Sequence, residues 1–411
     1  MPRILMVTNL FYPLMGGSEH VVFETSRRLV KEGHEVHVLT ELTKPDWPVY
    51  EQVEGIHIHR CQVSFSNPIT RFGSGVFNAA RLFRQLSTEY AFDLLHFHLT
   101  LSSIGVLFCR ASRRSARIAS FYGPWDEEEL VERRIRSRWS PGRLKALLFR
   151  MLQKFVLQRS SKIIVLSDYS RGQVTDLIGA AERCVLIPGG VDLDRFRPAR
   201  DRSQVRSRFQ IPPDQTTLLT IRRLVPRMGI DTLIAAMPLI LSQNQNVSLI
   251  IGSDGPLRSD LERQVDQLGI REHVRFTGFI PQEELPQYYQ AADLFIMPTR
   301  ALEGFGLPVV EAMACGTPAL GTAVGSITEL IGAFDKRLLI PEATPETIAT
   351  AVHTLIRSTL CEEGFRALCR RHVENHYGWD QITESLEKTY QLVLQISGSE
   401  FVVDQNRSTE V

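Results

Sequence analysis

The chain has 411 residues, 43% hydrophobic and 23% charged, so it is neither disordered nor fibrous and is longer than one hydrophobic core normally serves. Its 47 Lys and Arg against 46 Asp and Glu leave a formal net charge of +1, which excludes a bulk electrostatic case for nucleic acid and makes any attraction for anions local. Six cysteines lie far apart with no C-x-x-C pair, which argues against a zinc site or a disulfide framework and reads as scattered reduced thiols.

Residues 1–17, MPRILMVTNLFYPLMGG, hold one Arg and a short apolar run broken by Asn9 and Pro13, unlike a secretory leader. No later stretch approaches the roughly 18 uninterrupted apolar residues of a membrane span, so a cytoplasmic protein is expected. Short apolar runs then alternate with longer segments of helical period, the pattern of parallel sheets flanked by helices, so the fold class is doubly wound α/β. Strands are expected at residues 4–8, 35–40, 56–61, 93–98, 117–121, 162–166 and 184–187, with a helix over 18–31 stopped by Gly33. Residues 189–214, GGVDLDRFRPARDRSQVRSRFQIPPD, are rich in Pro, Gly and charge and separate two strand-helix series. The second series has strands at 217–222, 247–252, 274–278, 294–297, 318–321 and 338–340. From Pro345 the pattern is helical through 397, and 398–411 has tail composition. The expected organisation is therefore a first domain over 1–190, a second over 191–375, a helix over 376–397 packing back on the first, and a tail. A cleft between two domains is the default place for chemistry.

The most informative segment is 298–318, PTRALEGFGLPVVEAMACGTP, which follows a buried-type strand and opens a helix. Pro308 suits the first helical position, leaving Glu303, Gly304, Phe305, Gly306 and Leu307 as a loop whose amides and helix dipole favour an anion. Glu303 and Glu311, eight residues apart, can converge on one ligand only if Glu303 sits in the loop and Glu311 in the first turn. This run resembles the E-x7-E signature of the retaining glycosyltransferases of family 4, almost word for word. The resemblance implies that Glu303 contacts a donor sugar and Glu311 the ribose hydroxyls.

Residues 220–236, TIRRLVPRMGIDTLIAA, bring Arg222, Arg223 and Arg227 to the end of a strand. A departing nucleoside diphosphate gathers negative charge and needs a metal or fixed cations. The segment is similar to the family's GRL-x-x-x-KG, whose Arg and Lys hold the diphosphate. Arg223 matches that Arg, but Met228 stands in place of the Lys and Arg222 in place of the first Gly. Arg222 or Arg227 is expected to take over part of the missing charge, although guanidinium and ammonium are not equivalent.

In the first domain, the Gly16-Gly17 pair before a helix lets backbone amides approach a phosphate, and the family has a GG loop there that nears the diphosphate or the acceptor. Tyr122 stands where relatives often place a His over the donor sugar; Tyr donates a hydrogen bond but is a poor base at neutral pH. His96 and His98, at another strand end, either compensate or are satisfied packing residues. By the same resemblance the backbone near Phe279 and Ile280 meets the nucleobase, and Gly252 with Asp254 borders the donor. Asp192 and Asp194 spell the metal motif D-x-D of another transferase fold, but lie in a loop shared with the family and read as structural. Residues 131–160 alternate many Arg and Lys with Trp139, Leu147, Phe149, Leu152 and Phe155, the composition of a basic amphipathic surface or of two ordinary helices with a solvated basic face.

The resemblance implies a GT-B fold, two Rossmann-like domains facing across a cleft, acceptor side first. It implies a metal-independent, cofactor-free transfer with retention at the anomeric carbon, in which the departing phosphate oxygen helps remove the acceptor proton. A UDP-sugar is the first choice of donor, and the acceptor is open, lipid-linked or anionic, in cell-surface polysaccharide or glycoconjugate synthesis. The protein is then cytoplasmic, with peripheral contact at the inner membrane face through 131–160. Met228 and Tyr122 leave a non-catalytic relative that binds a nucleotide sugar or supports a partner enzyme as the alternative, and a GT-B epimerase or phosphorylase as another.

Overall fold

The computed structural model describes residues 1–14, 16–98, 101–132, 141–357 and 363–408. They cluster into two compact units, Met1–Asp126 with Arg143–Pro188 and Trp379–Val411, and Glu127–Gly142 with Gly189–Gly378. Residues 127–132 thus group with the second unit, in which Glu128 and Glu132 are ion-paired to Arg227.

In the first unit, strands β1 (Arg3–Val7), β2 (Glu35–Leu42), β3 (Tyr50–Val53), β4 (Ile56–Gln62), β5 (Leu94–Phe97), β6 (Ala116–Phe121), β7 (Lys162–Val165) and β8 (Cys184–Leu186) form one sheet in the order β3-β4-β2-β1-β5-β6-β7-β8. Every pairing is parallel except that of β3 with β4. The sequence reading does not find β3, because an edge strand reading YEQV, exposed and half-buried by turns, carries no apolar run. Period-two alternation sends Ile4 and Met6 into one core and Leu5 and Val7 into the other, so helices cover both faces. The helix Trp379–Ser408 lays Trp379, Ile382, Leu386, Tyr390 and Val393 into the core that holds Ile4 and Met6. It continues through Ser408, into the stretch expected as a tail from 398.

In the second unit, β9 (Thr216–Ile221), β10 (Val247–Gly252), β11 (Val274–Gly278), β12 (Leu294–Met297), β13 (Ala319–Thr322) and β14 (Leu339–Ile340) form an all-parallel sheet in the order β11-β10-β9-β12-β13-β14. Both units are doubly wound and Rossmann-like. The strand order reverses around β1 in the first and around β9 in the second, and open α/β sheets bind ligands outside the carboxyl ends of the strands at such points. Among the described residues Cys61, Cys109, Cys184, Cys315 and Cys369 form no disulfide, while Cys361 lies outside the described residues. No helix among them is long and apolar enough to cross a membrane.

Candidate active site

The reversal point of the second unit gathers most of the residues singled out above. Arg222 and Arg223 leave the end of β9, and the loop carrying Glu303 leaves the end of β12, its neighbour in the sheet. Three backbone bonds stitch the β9 and β10 loops together. The Arg222 N–H donates to the Gly252 carbonyl at 3.3 Å, Leu224 to Asp254 at 3.0 Å and Leu257 to Leu224 at 3.1 Å. Ser253 donates to Gly278 at 2.7 Å and so ties in β11. A Cβ on Gly252 would meet the Ile280 side chain at 2.6 Å, so Gly252 and Ile280 pack directly, with Ile280 buried and Phe279 77% exposed. Arg222, Gly252, Asp254 and Ile280 therefore share one end of the sheet.

Glu303 is buried, and its carboxylate pairs with the Arg222 guanidinium, the two side chains being 11% and 9% exposed. The same guanidinium lies 2.7 Å from the Met228 sulfur. The Arg222 guanidinium thus occupies the space beside Met228, the position where the family resemblance expects a Lys. Arg227 donates to the Leu302 carbonyl at 2.9 Å and pairs with Glu128 at 3.5 Å and Glu132 at 3.4 Å. Arg223 is 63% exposed, its guanidinium 3.7 Å from Glu132. Burial raises the Glu128 carboxyl above its ordinary value, against the pull of Arg227.

The backbone of Glu303 is held from the far side by a segment the sequence reading missed. Ser326 donates to the Glu303 carbonyl through both its N–H and its hydroxyl, each at 3.0 Å. Gly325, at φ +58°, approaches so closely that a Cβ would stand 2.4 Å from that carbonyl oxygen. Only the V-G-S run just after β13, small residues at a strand's carboxyl end, hints at this in the sequence.

Gly306 caps the helix Leu307–Ala314 at φ +100°, where a side chain would also strike Ile327, so the position requires glycine. The helix begins at Leu307, which puts Pro308 in its second position and not the first, and Glu311 in its second turn and not the first. Phe305 is buried against Tyr377, with ring centroids 5.8 Å apart. Glu311 accepts the Tyr289 hydroxyl at 2.8 Å, and burial raises its carboxyl above the ordinary range. Glu303 and Glu311 consequently have different partners. The D-x-D pair makes a turn, with one Asp192 carboxylate oxygen accepting the N–H groups of Asp194 and Arg195, both at 3.1 Å.

In the first unit Gly16 caps the helix Gly17–Lys31, and its N–H donates to the Glu19 carboxylate at 3.1 Å. Tyr122 follows β6, and its hydroxyl shares a 2.8 Å hydrogen bond with His98 Nδ1. Burial raises the tyrosine hydroxyl and holds His98 well below its ordinary value. His96 is buried, bonded to the Tyr390 hydroxyl at 2.7 Å and to the Ser120 hydroxyl at 2.8 Å, and burial lowers it to about 3. It is a satisfied packing residue, so of the two openings left for it only that one stands. Residues 133–140 of the basic segment lie outside the described residues.

Two family models match the chain in tandem, Glycosyltransferase Family 4 over residues 15–195 and Glycosyl transferases group 1 over 201–379. The GDP-mannose-dependent alpha-(1-6)-phosphatidylinositol monomannoside mannosyltransferase of Mycobacterium tuberculosis is 28% identical over 395 residues, 94% of this chain and 97% of that one. D-inositol 3-phosphate glycosyltransferase 1 of Catenulispora acidiphila is 28% identical over 416 residues, 96% of each chain. Among solved structures, sucrose-phosphate synthase from Thermosynechococcus elongatus superposes with a TM-score of 0.83 at 23% identity, covering 96% of this chain and 100% of that one, a likeness of fold. With both sheets, the EGFGLP loop and two matched halves in agreement, the chain belongs to the family 4 glycosyltransferases and has the GT-B fold.

Proposed function

We propose that this glycosyltransferase moves a hexosyl group from a nucleoside diphosphate sugar to an acceptor bearing an inositol phosphate, with retention at the anomeric carbon and without a metal. The observation that carries the proposal is the buried Glu303 fixed between Arg222 and Ser326 at the reversal point of the second sheet. A residue whose carboxylate pairs with Arg222 and whose backbone carbonyl is clasped by Ser326 is positioned for sugar hydroxyls, and guanidinium groups at the same strand end offer fixed positive charge to a leaving diphosphate. Glu303 is assigned to the donor sugar, Glu311 to the ribose, Arg222, Arg223 and Arg227 to the diphosphate, and Gly252, Asp254 and Ile280 to the nucleoside. The backbone of Phe305, Gly306 and Leu307 lines the anion end of the helix. Within the first unit, Gly16 and Gly17 are assigned to the diphosphate or the acceptor and Tyr122 to the donor sugar.

Both relatives are named for inositol-containing acceptors, and one for GDP-mannose, which favours GDP-mannose over the UDP-sugar preferred from sequence alone. The test incubates the full chain in EDTA with GDP-mannose or UDP-sugars and with D-inositol 3-phosphate or phosphatidylinositol, and follows nucleotide release and the anomeric configuration of the product. Acceptor-dependent release with an α-linked product supports the proposal, and Glu303→Gln removes it. Release without acceptor points to an epimerase. Absence of turnover with every pair moves the non-catalytic reading to the front.

A further inference from the structure

The helix Pro141–Gln158, PGRLKALLFRMLQKFVLQ, has two apolar faces and needs only one for folding. Ala146, Gln153, Val156 and Leu157 are buried and dock it on the first unit. On the opposite side Leu144, Leu147, Leu148 and Met151 are 72%, 54%, 44% and 61% exposed. At about 100° per residue these four fall on one stripe some 100° wide, centred away from the buried face, and Phe155 continues it. Phe108, 68% exposed, extends the patch beyond the helix through its ring contact with Phe155, centroids 5.4 Å apart. Single exposed leucines are commonplace, whereas a contiguous stripe of this kind marks a contact surface.

The charges say which contact. The same rotation places Arg143, Arg150 and Lys154 along one margin of the stripe and Lys145 and Arg159 along the other, and the helix contains no acidic residue. Lys145 lies 5.0 Å from the centroid of the Phe149 ring, and the Arg159 guanidinium stacks 3.6 Å from that of Phe155, so cationic groups lean along the aromatic edges of the patch. Arg150 pairs with Asp126 at 3.2 Å while staying 43% exposed. Apolar groups that can enter an acyl layer, bordered by cations at headgroup height, are complementary to an anionic bilayer surface. We infer that the exposed face of the Pro141–Gln158 helix seats the first unit on the surface of an anionic phospholipid membrane, without crossing it.

The experiment is flotation of the purified full chain with phosphatidylcholine vesicles, with and without 30 mol% phosphatidylglycerol, in low and high salt. No sugar donor is present, so it can fail while the transferase reading stands. Binding should require the anionic lipid and weaken with salt. Arg143→Gln with Lys154→Gln should weaken it about fivefold per charge, and Leu144→Ser with Met151→Ser should reduce it at least tenfold, both pairs keeping the wild-type melting temperature. Unchanged binding by the Leu144 and Met151 pair overturns the inference, as does absence of binding to any vesicle. So does a salt-resistant dimer in sedimentation that Leu144→Ser dissolves, which would give the face to a second copy of the chain.

Discussion

The ion pair between Arg222 and Glu303 yields the sharpest test of the site, because the family resemblance expects the cation at position 228 and the structure has it on Arg222. Arg222→Gly leaves the Glu303 carboxylate, 11% exposed, without its partner. Breaking a buried pair costs about 3–5 kcal/mol, and the remaining exposure favours the lower figure, about 3 kcal/mol. For a unit of this size that lowers the melting temperature by about 6–12 °C. If the guanidinium also faces the leaving diphosphate, kcat falls about 10²–10³-fold. Met228→Lys alone forces a second cation against a guanidinium that now lies 2.7 Å from the Met228 sulfur, so it should destabilise and bring no gain in rate. The double variant, Arg222→Gly with Met228→Lys, lets the ammonium enter the vacated space and reach Glu303. Its rate should return to within about tenfold of wild type, with a coupling energy of about 2 kcal/mol. The assay is a double-mutant cycle read in both kcat/KM and thermal melting. Additive effects, or an Arg222→Gly variant with wild-type kcat, would refute the relocation.

Glu128→Gln with Glu132→Gln frees Arg227 and Arg223 from competing acids and should tighten nucleoside diphosphate binding about threefold per charge, measured by calorimetry; weaker binding would make those acids supports for the arginines. Gly325→Ala, with its Cβ 2.4 Å from the Glu303 carbonyl oxygen and φ at +58°, should cost about 2 kcal/mol and at least tenfold in kcat, while normal stability and rate would remove the clasp. His59, lowered by burial to about 4, and His96, to about 3, stay neutral in the fold while their unfolded counterparts protonate below about 6.5. Stability is therefore whole above that pH and declines toward 4, by about 4 kcal/mol for the two at pH 5, which a flat series of urea midpoints between pH 7 and 5 would contradict. Tyr122→Phe should keep kcat within about threefold and leave the shape of its pH profile unchanged; loss of a titrating limb would restore the hydroxyl as an acid or base.

Much of this molecule is legible because parallel strands buried on both faces write themselves as apolar runs, as at Leu294–Met297 and Val247–Gly252. The edge strand Tyr50–Val53 is not, since its residues are only exposed or half-buried and demand no apolar run. In the site, Glu303 and Gly306 are readable from local constraint: a carboxylate on a glycine-rich loop and a cap at φ +100°. The partners of Glu303 are not readable in the same way. Ser326 lies 23 residues on and Arg222 81 residues back, and only the folded sheet makes β9, β12 and β13 neighbours. Likewise, a period-3.6 reading of 141–158 finds a basic amphipathic helix but cannot say which of its two apolar sides the core takes.

The first unit holds a cluster of three titratable side chains, Tyr122, His98 and His96. Tyr122 keeps its proton because burial disfavours the phenolate, and its hydroxyl is already engaged by His98. His98 is held neutral by burial and has one ring nitrogen on Tyr122 and the other 3.5 Å from the Met6 sulfur, so neither nitrogen is offered to a ligand. His96 is closed off by Tyr390 and Ser120. None of these three groups is a base at neutral pH. If transfer proceeds with retention as proposed above, the base is the donor's own phosphate oxygen, which gains charge as the glycosidic bond breaks. On that proposal, the fixed cations at the end of β9 would stabilise the charge of the departing diphosphate. Met228 and Tyr122 stand where the family resemblance expects a Lys and often a His; the Arg222 guanidinium beside Met228 keeps positive charge there, and a transfer that needs no protein base tolerates a Tyr, so both departures are compatible with the proposed transfer.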